Sequence, residues 1–310
     1  MHSSKKKSDS NTTAGYIAIV GATNVGKSTL LNTIVGSKLS IVTPKVQTTR
    51  ASVLGIYNFN LAQMIFIDTP GIIEPKSSLD KSMMKSAWNR LGDSDLVLLT
   101  IDSSKKFNED NSKFNFRILS FLKNKKVKLA IVVNKIDKIN KNSLLMLVDN
   151  IKTTYGIDDI FLISALSGDG LSELIFWISN NLPDSPWFYP STHKHEMSVQ
   201  YLAAEITREK LFLLLHKEVP YSLTVETEKL EEKNDLSLLI HQVIYIKKES
   251  QKIIVLGSGG KKIKEIGILS RESLQNIFKC KVHLKLFVKV RNNWQEDAER
   301  YKVMGLEYVK

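Results

Sequence analysis

Eight consecutive residues, Gly21-Ala22-Thr23-Asn24-Val25-Gly26-Lys27-Ser28, have the composition of a loop that wraps an anion. Glycine lets successive backbone N–H groups turn toward one point, and a helix starting behind them aims its positive end at the same place. In that arrangement Lys27 reaches the β- and γ-phosphates of a nucleotide and the Ser28 hydroxyl ligates Mg²⁺, with Thr29 beside it at the helix start. The apolar run Tyr16-Ile17-Ala18-Ile19-Val20 precedes the loop as a buried parallel strand would. The plainer reading is a glycine-rich turn with a surface lysine. It suffices for the loop taken alone, but not for the loop together with the motifs downstream of it.

A second apolar run, Lys128 to Val133, ends in Asn134-Lys135-Ile136-Asp137. Guanine offers two donors on one edge, N1–H and N2–H₂, and a single carboxylate accepts both. Adenine lacks that pair, so Asp137 discriminates by leaving its acceptors unmatched with the wrong base. Asn134 is expected to hold the loop, and the Lys135 stem to lie over the ring. Downstream, Ile160-Phe161-Leu162-Ile163 leads into Ser164-Ala165, whose backbone N–H can donate to guanine O6.

Between these motifs lie the groups suited to sensing a γ-phosphate. Met64-Ile65-Phe66-Ile67 runs into Asp68-Thr69-Pro70-Gly71. Asp68 is placed to hold Mg²⁺ through water, and the Gly71 N–H to touch the γ-phosphate. In the polar stretch Gln47-Thr48-Thr49-Arg50, a threonine hydroxyl could complete the metal shell, and Thr49 is the favoured one. The five motifs occur in a single order, and most of them follow an apolar run. They imply binding and hydrolysis of GTP with Mg²⁺, with Lys27, Thr49 and Gly71 at the reaction, and they disfavour a P-loop kinase.

The residue after Gly71 is Ile72, where many signalling GTPases carry a glutamine that orients the attacking water. An apolar side chain cannot do this, so the chemistry must rest on Lys27, Mg²⁺ and the loop amides. Even glutamine-bearing enzymes turn over unaided at only about 10⁻⁴ to 10⁻³ s⁻¹, and an added stabilising group gives roughly 10³ to 10⁵. Slow isolated turnover that depends on a partner is therefore expected. Arg50 could be an arginine finger or a surface residue.

These groups need a scaffold, and 310 residues suffice for two domains. Apolar runs alternate with helical patterns up to residue 182. Strands are expected at 16–20, 53–58, 63–67, 96–101, 128–133 and 160–163, and helices at 28–35, 79–91, 109–123, 141–154 and 171–180. This alternation predicts an α/β fold, a P-loop NTPase with a mostly parallel sheet and helices on both faces. Residues 1–13 are expected to be a disordered tail, 14–182 the GTPase domain, and 183–195 a proline-rich linker whose aromatics pack against one domain. Residues 76–79 are expected to be mobile and nucleotide-dependent.

Beyond the linker, 196–217 suggests a helix, 222–230 and 236–247 strands, 261–278 a helix, 282–290 a strand and 294–304 a short helix. Basic residues outnumber acidic ones 44 to 32, for a net charge of +12. The excess is uneven: from Gln251 to Arg291 ten Lys or Arg face two acids, Glu265 and Glu272, a local +8. That asymmetry suits a polyanion. Inside it lie Gly257-Ser258-Gly259-Gly260 and then Lys261-Lys262-Ile263-Lys264, with Arg271 further along. Backbone free of side chains at a helix start, flanked by lysines, matches the Gly-x-x-Gly clamp of KH modules, which grips about four nucleotides. β-branched residues make 251–256 look like a strand, whereas a KH module requires a helix there. Docking on anionic lipid or on a protein, as in a signalling switch, is the competing reading. The N-terminus has no secretory pattern and no run is long enough to span a membrane. The single cysteine, Cys280, is read as packing.

Taken together, Asn24 to Thr29, Gln47 to Arg50, Asp68 to Gly71, Val255 to Gly267 and Val282 to Leu286 resemble the Era family of bacterial ribosome-assembly GTPases, from about Ala14 to Leu306. The resemblance implies a type II KH domain (α+β) over 196–310 with a C-terminal helix. It also implies binding, in the GTP state, to the single-stranded 3′ end of 16S rRNA, and help in maturing the 30S subunit. It further implies a cytoplasmic monomer, partly peripheral on the inner membrane, and a K⁺ ion on Asn24 standing in for an arginine finger. Two departures stand out. The family's usual Gly-Arg-Pro-Asn is Gly21-Ala22-Thr23-Asn24 here, and Ser258-Gly259 replaces a pair that often carries lysine.

Overall fold

A computed structural model of the chain describes residues 12–71, 74–75, 77–105, 109–123, 125 and 127–309. Ile72, Lys76 and residues 1–11 lie outside them, and with them the expectations placed on Ile72, on most of the N-terminal tail and on the start of the 76–79 segment. Two compact units emerge. The first comprises residues up to Val35, Leu54–Asp68 and Asn89–His195, and the second comprises Gly36–Val53, Thr69–Trp88 and Glu196–Lys310.

The first unit is built on six strands: β1 (Thr13–Val20), β2 (Val53–Phe59), β3 (Ala62–Asp68), β4 (Leu96–Asp102), β5 (Lys128–Asn134) and β6 (Ile160–Ile163), in the order β2-β3-β1-β4-β5-β6. β1 pairs in parallel with β3 and β4, and the run continues in parallel through β5 and β6. Near-unbroken burial along β3 and β4 explains why these strands consist of apolar runs rather than alternating residues. Helices α1 (Lys27–Val35), α3 (Glu109–Leu122), α4 (Lys141–Tyr155) and α5 (Leu171–Asn181) connect or follow them. The chain steps one way from β1 to β3 and the other way from β4 to β6. Right-handed crossovers therefore set α1 and the α3–α4 pair on opposite faces, and the ends of β1, β3, β4 and β5 line one carboxyl edge.

β1 begins at Thr13, earlier than its apolar run, because Thr13, Ala14 and Gly15 pair with Ala62, Gln63 and Met64. The 183–195 segment is strapped to the first unit. Phe188 stacks on Tyr16 at 5.6 Å, the Trp187 indole donates to the Leu61 carbonyl, and Tyr189 and Gln63 exchange two hydrogen bonds. Prolines stiffen this segment, and its own polar groups hold it down.

The second unit contains α2 (Ser78–Gly92) as far as Trp88, then α6 (Val199–Leu214), β7 (Leu223–Glu232), β8 (Leu238–Ile246), α7 (Glu249–Leu256), α8 (Lys261–Phe278), β9 (Val282–Val290) and α9 (Ala298–Val303). β8 is central, antiparallel to β7 and parallel to β9. This gives the α-β-β-α-α-β order of a type II KH fold. Residues 251–256 are helical: the Gln251 side chain accepts from the N–H groups of Lys247 and Lys248, supplying a cap that outweighs β-branched propensity. α6 starts later than its pattern because Ser198 caps it, accepting the Tyr201 N–H at 3.2 Å. The helix expected at 294–304 is split, with a 3₁₀ turn at Trp294–Glu296 before α9. Cys280 packs half-buried against the core of Leu202, Ile206, Ile240 and Leu274.

Candidate functional site

Gly21 sits at φ 145° and Gly26 at φ 99°, backbone that a side chain rarely tolerates. A Cβ on Gly26 would fall 2.3 Å from Asn134 Nδ2, and one on Gly21 would fall 2.4 Å from the Thr100 carbonyl. The loop from Gly21 to Ser28 thus closes tightly over the ends of β1 and β5. Lys27 is buried at the start of α1, and its ammonium donates to the carbonyls of Gly21 at 3.0 Å and Ala22 at 2.7 Å. Burial pulls its pKa down to about 8, against the opposing pull of the Asp68 charge. A buried ammonium held by carbonyls gains strongly from an arriving phosphate.

The Ser28 hydroxyl donates to Asp68 Oδ2 at 2.6 Å. Hydroxyl and carboxylate therefore converge beside Lys27 at the ends of α1 and β3, a pair of hard oxygen donors that fits Mg²⁺. Thr29 follows at the same helix start, where its carbonyl accepts from Thr33 at 3.0 Å.

Asn134 joins three motifs. Its Nδ2 donates to the Val25 carbonyl at 2.8 Å, while its Oδ1 accepts from the N–H groups of Lys135 at 2.8 Å and Ala165 at 2.9 Å. Lys135 lies in left-handed backbone at φ 67°, and its ammonium reaches back to the Asn24 carbonyl and to Asp102, both at 2.6 Å. The Ser164 hydroxyl donates to Asp137 Oδ1 at 2.6 Å, fixing the carboxylate of the Asn-Lys-Ile-Asp turn. Thr33 of α1 donates to the Ala165 carbonyl at 2.6 Å, tying the Ser-Ala loop to the phosphate loop's helix.

Sequence reasoning missed Asp102. Burial raises its pKa, but hydrogen bonds from Lys135 and Ser104 and the Lys135 charge outweigh this, so the carboxylate stays below its ordinary range. The signal was an acid closing the apolar run 96–101, the same pattern that marked Asp68.

Thr49 and Gly71 belong to the second unit. Arg50 is not a surface residue. It is 5% exposed, donating to the carbonyls of Leu223 at 2.7 Å and Tyr221 at 3.3 Å, with its guanidinium 5.5 Å from the Trp294 ring centre.

In the KH unit, Gly257, Gly259 and Gly260 take φ of 71°, 56° and 73° around the exposed Ser258. A Cβ on Gly257 would press to 2.6 Å from Lys262, whereas Gly259 and Gly260 face open space. That space admits a nucleic-acid backbone. α8 then starts at Lys261 with no side chain capping it, and the Lys261 N–H donates to the Ser258 carbonyl. Lys261, Lys264 and Arg271 are exposed and Lys262 half-exposed, while Ile263 packs on the core around buried Ile266. Ile253 and Ile254 on α7 are 72% and 50% exposed, apolar surface beside the clamp that hydropathy alone would assign inward.

Fold and site together define a P-loop GTPase carrying a C-terminal KH module. Residues 16–135 match the family model described as "50S ribosome-binding GTPase", and 218–295 match the KH domain model. GTPase Era of Brucella suis biovar 1 is 46% identical over 96% of this chain and 94% of its own length. GTPase Era of Mesorhizobium japonicum is 47% identical over the same shares. A crystal structure of a tyrosine-to-alanine variant of Aquifex aeolicus Era bound to GDP·AlF₄⁻ superposes with a TM-score of 0.88 at 38% identity, covering 94% of this chain and 99% of that one. Era in complex with MgGDPNP and nucleotides 1506–1542 of 16S ribosomal RNA gives the same TM-score and identity over 95% of this chain and 99% of that one. The chain belongs to the Era family of GTPases.

Proposed function

We propose that this GTPase couples GTP hydrolysis to capture of the 3′ end of 16S rRNA and thereby assists maturation of the 30S subunit. The observation that carries the catalytic half is Asn134. One side chain grips the phosphate loop, the guanine-reading turn and the Ser-Ala loop, so that Asp137 and Lys27 serve one nucleotide. When bound, Mg²⁺ supplies charge neutralisation between the β- and γ-phosphates. Ser28 holds it directly and Asp68 through water. Lys27 holds the phosphates, Thr49 completes the metal shell and the Gly71 N–H meets the γ-phosphate. Residues 14–182 act as the GTPase domain and 196–310 as the RNA-binding domain.

The RNA half rests on the open glycines at 259 and 260, the uncapped start of α8 and the lysines after it. The Era complex with MgGDPNP and 16S rRNA nucleotides supports both the ligand and the nucleotide state. K⁺ at Asn24 and peripheral association with the inner membrane from a cytoplasmic monomer rest on the family resemblance. Among the described residues no helix is long and apolar enough to cross a membrane.

Hydrolysis measured with and without an oligonucleotide of the 16S 3′ end tests the coupling. Stimulation that disappears in Gly260→Asp is expected; equal rates with and without RNA would overturn it. Equal rates in Na⁺ and K⁺ would remove the K⁺ assignment.

A further inference from the structure

Residues 37–52 form neither helix nor strand, yet within the second unit they are stitched along α6 from end to end. Ile41 is buried with Leu202, Ala203 and Ile206. Glu209 accepts from the Lys38 ammonium at 2.6 Å and from the Val42 N–H at 2.9 Å. The Lys45 ammonium donates to the carbonyls of Phe212 and Leu215, satisfying the open C-terminal end of the helix.

Buried contacts flank Thr49 on both sides. On one side, the Thr48 carbonyl accepts from Arg208 Nη2. On the other, Arg50 is locked to Leu223, Tyr221 and Trp294. Arg208 is 1% exposed, and its orientation is not free. Its Nε and Nη2 form a fork on the Glu205 carboxylate at 2.6 and 2.5 Å, one turn back on the same helix, and its guanidinium lies 5.1 Å from the Phe212 ring. A planar group braced on two sides aims the second N–H of Nη2 in a fixed direction. Here that direction is a peptide carbonyl of an otherwise irregular loop.

We propose that Arg208 is a positioning residue for GTP hydrolysis: from the first helix of the RNA-binding module it fixes the peptide preceding Thr49 and so pre-orders the threonine for Mg²⁺·GTP. The inference rests on the reading of Thr49 as a metal ligand. A pre-ordered ligand pays no ordering entropy when the triphosphate arrives, and GDP, which has no γ-phosphate to recruit the threonine, should be indifferent to it.

The test uses the full chain with Arg208→Lys and with the double change Glu205→Gln, Arg208→Gln, which avoids stranding a buried carboxylate, alongside Thr49→Ala. Affinities for GDP and for a non-hydrolysable GTP analogue are titrated, and single-turnover hydrolysis is followed. In the double variant, triphosphate affinity and rate should fall roughly 10- to 100-fold, the scale of one charge-assisted hydrogen bond, with GDP affinity unchanged. Arg208→Lys should recover part of the loss, and adding Thr49→Ala should bring no further loss. If Thr49→Ala is damaging but both Arg208 variants behave as the parent, the positioning role is wrong and the metal assignment stands. If Thr49→Ala itself is silent, the metal assignment fails first. Equal loss of GDP and triphosphate affinity, or a faster rate in the double variant, also overturns the proposal.

Discussion

In the proposed site Asp137 and Lys27 take the two ends of the nucleotide, and each makes a separable prediction. Asp137 is already oriented by Ser164 at 2.6 Å, so replacing it removes two charge-assisted bonds to guanine without disturbing the fold. Asp137→Asn should cost about 3–6 kcal/mol of GTP binding, roughly 10²- to 10⁴-fold, and relax preference over other bases. Competition titrations with GTP, ITP and XTP measure this, and an unaltered ranking would refute the assignment. Lys27 makes a prediction about protons. Its pKa in the free chain is lowered to about 8, and a bound phosphate must raise it. Affinity should therefore be level below that pH and decline as pH rises through it, with proton uptake on binding. Calorimetry in two buffers of different ionisation enthalpy, a little above that pH, reads the uptake directly; none is expected well below it.

At the scale of elements, the loop-to-helix junctions decide function because side-chain-free backbone is required there. Gly26→Ala would set a methyl group where Asn134 Nδ2 now lies, 2.3 Å away, on backbone at φ 99°. We expect loss of nucleotide binding by filter assay and a lower melting temperature, since the methyl also pushes Asn134 off Val25. Gly260→Asp meets no steric obstacle but puts an anion at the uncapped start of α8 and adds φ strain. RNA affinity should be lost while GTP binding persists. For the parent chain, log affinity against log salt should slope by about −0.7 for each phosphate neutralised; a flat line would instead fit an uncharged partner. α7 behaves in the complementary way. Its β-branched residues favour a strand, but its cap and its place before the clamp make it a helix.

For the whole molecule, the anchoring of 37–52 onto α6 makes the loop's order depend on ionisation. Burial raises the pKa of Glu209, but the Lys38 hydrogen bond, the Val42 N–H and the lysine charges outweigh that, so its folded value lies below the ordinary 4.5. A lowered carboxylate stabilises above its unfolded pKa, and that contribution vanishes as pH falls through the folded value. Hydrogen-exchange protection at the Val42 amide, corrected for intrinsic rate, should therefore persist near neutrality and drop on acidification below the ordinary glutamate range. Glu209→Ala should remove it at neutral pH, and protection that survives in that variant would show the anchor to be elsewhere.

The sequence by itself located the Gly21–Ser28 loop, the Asn-Lys-Ile-Asp turn, the strand-end acids and the Gly257–Gly260 turn, because each depends on backbone conformation or on residue types a few positions apart. It likewise determined β5, an unbroken apolar run, and α8, whose apolar residues keep a helical period. Only the tertiary structure showed Arg50 buried under Trp294, Asp102 holding Lys135, Ser198 starting α6 late, and Arg208 gripping Thr48. The hydrogen bonds of Arg50 to Leu223 and of Arg208 to Thr48 join residues 173 and 160 positions apart, and each uses a polar side chain whose type alone suits solvent equally well. Periodicity reports which face is buried; it does not report which carbonyl a buried guanidinium will find.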